Sequence, residues 1–153
     1  MGGGELLNRQ IESWYIQWAL VDRLYQEFAR AYGVTSTALF ALQVLWRSPQ
    51  GVTQRELCQE LGLPKQTVSN LIHGLEESGR VRRQRNPEDL RCLTVSLTPE
   101  GRAFSQKFLG ALRRAEEEAF LSLAPEDREA FTRVNEALTE KLREAMASRK
   151  EER

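Results

Sequence analysis

The stretch that decides the fold is residues 53–101, TQRELCQELGLPKQTVSNLIHGLEESGRVRRQRNPEDLRCLTVSLTPEG. Two segments with helical periodicity come first, and the residues Gly62-Leu63-Pro64 break the chain between them. An arginine-rich strand, a polar turn and a second strand follow. The order helix, turn, helix, β-hairpin predicts a winged helix-turn-helix, a structure that places one helix in the major groove of DNA.

The two helices of this stretch have recognisable ends. Thr53 and Glu56 form a capping box, in which the hydroxyl and the carboxylate satisfy each other's backbone donors, and Gly62 ends the helix. Pro64 suits the first turn of the second helix, because the N–H it lacks would have had no partner there. The predicted buried stripe of this second helix is Val68, Leu71, Ile72 and Leu75.

The opposite face of the second helix is polar and almost uncharged. Glutamine and asparagine can pair with adenine, lysine with guanine, and serine or threonine with phosphates or a thymine methyl group. An ordinary solvated face is the alternative interpretation. The predicted DNA-binding residues of this region are Thr53 and Gln54 at the start of the preceding helix, and Lys65, Gln66, Thr67, Ser69, Asn70 and His73.

The β-hairpin that follows is basic. Residues 81–85 and 93–97 are predicted strands. The second is predicted to be half-buried because its apolar and polar residues alternate. Residues 86–89 are of types that favour a turn. Arg82, Arg83 and Arg85 would hold phosphates. Arg91, at the tip, would enter the minor groove, and Asp89 would orient it through a charge-assisted hydrogen bond.

Helices flank the predicted DNA-binding region, here called the head, on both sides. The first, at about 6–32, carries an apolar stripe that continues beyond what one head needs, so part of it is predicted to pack on a second subunit. The closing helices, one ending near Ser122 and one of about 20 residues from Pro125, are predicted from their apolar periodicity. We therefore expect a mainly α (α+β) single domain, 1–153, with a head at about 35–101 and dimerisation helices at about 6–32 and 102–147.

Three motifs in order, 75–81 (LEESGRV), 86–91 (NPEDLR) and 95–101 (VSLTPEG), resemble the MarR family of bacterial transcription regulators over essentially the whole chain. The resemblance implies a homodimer that binds a pseudo-palindromic double-stranded DNA operator, usually as a repressor and often released by a small molecule. In this family the β-hairpin, called the wing, carries an arginine that is paired with an acidic residue. The resemblance assigns these roles to Arg91 and Asp89. Leu90 and Asn70 depart from the family, since basic residues are common at both positions.

The resemblance also places an effector between the head and the dimer helices. The residues expected to line that space are Trp14, Tyr15, Trp18 and Tyr25 of the first helix and Phe40 of the second. Aromatic side chains there would favour a planar aromatic or phenolic ligand, whereas the plainer interpretation makes them core residues.

Composition excludes several other classes of protein. The 22 basic and 22 acidic residues cancel, but residues 80–91 hold five arginines against two acids, so positive charge is concentrated at the predicted wing. No apolar run approaches the ~20 residues of a membrane span, and there is no export leader, so we expect a cytoplasmic protein. Its two cysteines are then expected to be reduced thiols.

The sequence offers little support for a metal site or a catalytic site. His73 is the only histidine and has no ligand partner at metal spacing, so we expect no metal, no cofactor and no enzymatic activity. Cys58 is expected to be half-buried in packing, and Cys92, beside the wing arginine, is either a plain strand residue or a redox switch. The alternative function is a winged helix that dimerises or docks on a protein partner without reading DNA.

Overall fold

The computed structural model describes residues 3–85 and 93–151, and the predicted Asp89, Arg91 and Cys92 lie outside them. Within the described residues the chain forms six helices and three strands, in the order predicted for a winged helix-turn-helix with helices on both sides. The bounds are α1 Gly3–Ala31, α2 Ser36–Arg47, β1 Val52–Thr53, α3 Gln54–Leu61, α4 Lys65–Glu77, β2 Val81–Arg85, β3 Leu93–Leu97, α5 Pro99–Leu121 and α6 Pro125–Glu151.

The helix ends follow the predicted capping chemistry. The sequence predicts a cap for α2 at Thr35 or Ser36, and the Thr35 hydroxyl takes that role by accepting a hydrogen bond from the Ala38 N–H at 3.1 Å. Gly62 ends α3 in the left-handed conformation, at φ 63°, and its N–H bonds back to the carbonyls of Cys58 and Gln59. Pro64 lies one residue earlier than predicted, at the extended N-cap position of α4 rather than in its first turn.

The sheet has a third strand that the sequence pattern did not predict. Its order is β1-β3-β2, all antiparallel, with Val52 opposite Val95 and Arg83 opposite Val95 on the other side. The prediction that 93–97 is half-buried was wrong, because β3 is the central strand and residues Thr94 to Leu97 are all buried. The turn at Gly51 packs against β3, so close that a Cβ there would lie 2.9 Å from the Val95 carbonyl oxygen.

The core of the head lies where α2, α3 and α4 meet. Apolar periodicity predicts that Ala38, Leu42 and Leu45 of α2 face inward, and all three are buried. The predicted stripe of α4 is also buried, apart from Leu71, which is half-buried. α3 contributes Leu57, which is fully buried, whereas Leu61 is half-buried. The fully buried aliphatic side chains of this core are Leu39, Leu42, Leu45, Leu57, Val68 and Ile72.

α5 begins on a short network of hydrogen bonds to the junction between α4 and β2. The Thr98 hydroxyl donates to the Gly79 carbonyl at 2.6 Å and accepts from the Gly101 N–H at 2.9 Å. The Thr98 N–H donates to the Arg80 carbonyl at 3.1 Å. One threonine therefore caps α5 and fixes that helix to the base of the wing.

The two halves of α1 have different environments. Towards its C-terminal end, the rings of Tyr25 and Phe40 lie 5.2 Å apart and those of Tyr32 and Phe108 lie 5.5 Å apart, so this half packs on the rest of the head. The N-terminal part of the helix, as far as Leu24, is exposed. Its exposed apolar residues are Leu6, Leu7, Ile11, Trp14, Tyr15, Ile16, Trp18, Leu20, Val21 and Leu24.

The chain divides into two compact units, Met1–Leu109 and Gly110–Arg153. In the second unit, Phe120 of α5 and Phe131 of α6 make an edge-on ring contact with centroids 6.2 Å apart. α6 spans 27 residues, which is longer than the roughly 20 predicted. None of the helices in the described part of the chain is long and apolar enough to cross a membrane.

Candidate nucleic-acid interface

α4 has one buried and one exposed face. Val68, Ile72 and Leu75 point into the core, while Gln66, Asn70 and two further residues lie on the outer face. Since positions three and four apart share a helix face, these outer residues form one continuous row. The row consists of Gln66, Asn70, His73 and Glu77, and Lys65 and Thr67 are exposed at its sides, with Ser69 half-buried beside it.

Side chains within this row are bonded to one another. Gln66 Nε2 donates a hydrogen bond to Asn70 Oδ1 at 2.9 Å, in the N-terminal half of the helix. One turn further on, His73 Nε2 lies 3.4 Å from Glu77 Oε1. The N-terminal half is therefore neutral and polar, whereas the C-terminal half carries the carboxylates of Glu76 and Glu77. Phosphate groups would be bound more favourably at the N-terminal half, which is also the positive end of the helix dipole.

The start of α3 is locked by the predicted capping box. The Thr53 N–H donates to Glu56 Oε2 at 2.6 Å, and the Glu56 N–H donates to the Thr53 hydroxyl at 3.1 Å. The hydrogen bond from the Thr53 backbone, followed by that from its hydroxyl, lowers the pKa of Glu56 below its ordinary value. The Thr53 hydroxyl is thus already engaged within the protein, as it also donates to Glu56 Oε2 at 2.8 Å.

Gln54 connects the two helices of the motif. Its Nε2 donates to the backbone carbonyl of Lys65 at 3.2 Å, so the first residue of α3 is tied to the first residue of α4. A cavity of about 390 Å³ opens beside this bond, lined by Gln54, Arg55, Cys58 and Lys65. Arg55 is a cation near the interface that sequence reasoning missed. Its place one residue after Gln54, at the start of the same predicted helix, could have indicated it.

The wing strand β2 places its arginines differently. Arg82 is exposed. Arg83 turns back to α4: its Nη1 lies 3.4 Å from Glu76 Oε2, and its backbone N–H donates to Glu76 Oε1 at 3.3 Å. Arg85 is exposed at the end of the strand. The structure thus brings Arg82 and Arg85 to the surface beside α4 and engages Arg83 within the head.

The predicted effector residues fall into two groups. The rings of Trp14 and Tyr15 lie 5.1 Å apart on the exposed half of α1, where Trp18 is 64% exposed. Tyr25 and Phe40 contact each other and are half-buried. Tyr25 follows Trp14 by eleven positions in the helix, so the two residues are roughly 16 Å apart along the helix axis at 1.5 Å per residue. Within one protomer the five side chains therefore do not form a single cluster.

The described residues contain no candidate metal site. Among residues 3–85 and 93–151, no three His, Cys, Asp or Glu side chains form a group that could hold a metal ion. Cys58 is half-buried, as predicted from its place in α3.

Comparison with known proteins points to regulators of transcription. A family model described as the MarR family matches residues 32–91. The chain is 31% identical over 115 residues, 75% of its length and 82% of the relative's, to the uncharacterised HTH-type transcriptional regulator YwoH of Bacillus subtilis (strain 168). It is 28% identical over 113 residues, 73% of its length and 68% of the relative's, to the HTH-type transcriptional regulator PrsX of Escherichia coli.

A solved structure shares the fold. The S. aureus MepR–DNA complex superposes with a TM-score of 0.75 at 20% identity, covering 84% of this chain and 93% of that one. The matched proteins are regulators of transcription rather than enzymes.

Proposed function

Because the chain belongs to the MarR family of transcription regulators, we propose that it binds DNA as a homodimer and represses transcription from a pseudo-palindromic operator. The observation that carries the proposal is the outer row of α4, whose N-terminal half is polar and uncharged beside the exposed arginines of β2. Uncharged amides and hydroxyls read base edges, and flanking cations hold phosphates. A surface serving only solubility would favour charged residues that form helices well.

In the proposed complex α4 enters the major groove by its N-terminal half. Gln66, Asn70, Thr67 and Ser69 then face base edges, with His73 further along the groove, as in helix-turn-helix proteins whose recognition helix reads DNA through its first turns. The cations that reach phosphates are Lys65, Arg82 and Arg85, and Thr53 and Gln54 approach the backbone at the start of α3. Arg91, oriented by Asp89, enters the minor groove. MepR, which shares this fold, has been crystallised with DNA.

Dimerisation is inferred from apolar surface that the protomer leaves uncovered. Leu7, Ile11, Trp14, Trp18 and Val21 of α1 are between 39% and 64% exposed. On α6, Phe131 and Val134 are each 56% exposed. A contiguous apolar stripe of the length seen on α1 is rare on soluble monomers. A second copy of the chain covers these helices, and the two recognition helices then lie one turn of DNA apart, ~34 Å.

This division of labour retains the expected domain layout. The head at about 35–101 reads DNA, and the helices at about 6–32 and 102–147 hold the dimer together. Such a repressor acts in the cytoplasm, where it reaches the chromosome.

Release by a small aromatic or phenolic ligand completes the proposal. A ligand changes operator binding only if it has different affinities for the DNA-fitting and non-fitting arrangements of the dimer. Trp14, Tyr15, Trp18, Tyr25 and Phe40 supply the aromatic surface. Because the two groups are separated within one protomer, a shared pocket would need helices of both subunits. Titration of tryptophan fluorescence with aromatic acids tests this, and an unchanged emission with every acid would count against it.

The decisive experiment is electrophoretic mobility of the full chain on its own upstream DNA across a range of salt concentrations. We expect a shift that depends on sequence, weakens steeply with salt and is reduced by Arg91→Ala. A chain that shifts no DNA at low salt, or shifts every sequence equally with no effect of Arg91→Ala, is instead a dimerisation or protein-interaction module.

A further inference from the structure

A hydrogen bond joins the side chains of Gln66 and Asn70 on the outer row of α4. We propose that Asn70 reads an adenine in each operator half-site and that Gln66 holds the Asn70 amide in the reading orientation. This inference rests on the proposed function. It begins from the 2.9 Å bond between Gln66 Nε2 and Asn70 Oδ1, on the exposed outer row of α4 and in the half of the helix that enters the groove.

The bond leaves Asn70 with the hydrogen-bonding pattern that adenine requires. An amide oxygen has two lone pairs, and Gln66 occupies one of those on Oδ1. The second lone pair and the Nδ2 hydrogens remain, so an acceptor and a donor lie side by side. Adenine presents the complementary pair in the major groove, the N6 amino group as donor and N7 as acceptor. Guanine presents two acceptors, and its O6 would face Oδ1.

Gln66 restrains the way the Asn70 amide faces. If Asn70 turned over by itself, its Nδ2 hydrogens would meet those of Gln66 Nε2, and the bond between the residues would be lost. The order of acceptor and donor along the groove therefore reverses only if both amides turn over together. Gln66 also orders the Asn70 side chain before DNA binds, which reduces the entropy lost on association. Gln66 acts through Asn70 and is a positioning residue.

Asn70 is the better reader of the two amides. It keeps both hydrogens of its amino group, whereas Gln66 has already donated one to Asn70. Its side chain has two torsions and that of glutamine has three, so less freedom is lost when it is held against a base.

The test selects operator sequences from a random duplex library with the full chain and then measures binding to single-base variants by fluorescence anisotropy. We expect an adenine at symmetric half-site positions. Replacing that adenine by 7-deazaadenine, which lacks only the N7 acceptor, should weaken the wild-type complex roughly 2- to 12-fold, the worth of one hydrogen bond. Replacing the whole base pair should weaken it by roughly 5- to 150-fold.

The variants separate reading from positioning. Asn70→Ala should bind the wild-type operator and its 7-deazaadenine form equally. Gln66→Ala should keep the preference for adenine but reduce it. Gln59→Ala, which removes an exposed amide on α3, should leave the preference unchanged. Circular dichroism of each variant confirms the fold, and because Gln66 and Asn70 are exposed we expect no change.

Two outcomes overturn the inference for different reasons. If Asn70→Ala selects the same bases as the wild type, the inference fails while the proposed function stands. If the wild-type chain selects no sequence at all, the proposed function fails and the inference falls with it.

Discussion

The carbonyl group of Arg80 occupies the space that a side chain at position 101 would need. A Cβ built on Gly101 would lie 2.6 Å from the Arg80 carbonyl carbon and closer still to its oxygen. Gly101 is buried in the first turn of α5, where its N–H bonds to Thr98. The absence of a side chain thus lets α5 start directly on the backbone at the base of the wing.

Gly101→Ala should destabilise the protein severely. Alanine is the better helix former by about 1 kcal/mol, so intrinsic propensity predicts a gain. The clash with rigid backbone outweighs it, and we expect a loss of about 3 kcal/mol or more. Urea unfolding at a fixed protein concentration measures this.

Gly74→Ala in α4 is the matched control. A Cβ on Gly74 would meet nothing within 4 Å, so the same change should stabilise by about 0.5–1 kcal/mol. Equal effects of the two substitutions would contradict the close approach of Arg80 and Gly101.

The capping box should make stability depend on pH in the acid range. The pKa of Glu56 is lowered in the folded state, so its charge stabilises the fold fully above the ordinary value of 4.5 and ceases to do so as pH falls through the lowered value. Glu56→Gln keeps an acceptor without the charge. The free energy of unfolding should be lower for the variant at pH 7, by less than about 1 kcal/mol because the group is exposed.

The difference between wild type and Glu56→Gln should disappear as the pH is lowered past 4.5 towards 3. Glu12→Gln, on the exposed polar side of α1, controls for the loss of one negative charge. A difference that stayed constant over this range would mean that the charge of Glu56 has no role in the cap.

Arg82 and Arg83 should differ in their contribution to DNA binding. Each phosphate contact adds about 0.9 to the slope of log affinity against log salt. Arg82→Ala should lower that slope by about one contact. Arg83→Ala should lower the slope less, because the Arg83 guanidinium is paired with Glu76. The Arg83 side chain is only 35% exposed and that of Glu76 only 34%. Equal losses of slope would show that DNA draws Arg83 away from Glu76.

A charge on the apolar side of α1 should break the proposed dimer. Trp18→Glu would bury an unpaired carboxylate between subunits, at a cost of at least about 3 kcal/mol, or more than roughly 100-fold in the dissociation constant. Sedimentation velocity should then show a species near the 17.6 kDa protomer. Ala19→Glu adds the same charge one residue along, on the polar side of the helix, and should leave the dimer intact.

Much of the head could be predicted from short-range chemistry. The Thr53–Glu56 capping box, the Thr35 cap and the left-handed Gly62 all form as expected, because each depends on residues within four positions of one another. The family resemblance drawn from the wing motifs was confirmed by the match over residues 32–91. The strand at Val52 was missed, since two residues carry no periodic signal.

The sequence by itself determined most of the helices and strands, where most of them stop and which faces are apolar, because these properties arise from neighbours along the chain. Tertiary structure alone decided that Arg83 turns to Glu76, that β3 is buried as a central strand, and that Gly101 lies against Arg80. Each of these depends on atoms brought together from separate elements. The contacts that join such elements are fixed by packing geometry, which a one-dimensional pattern does not contain.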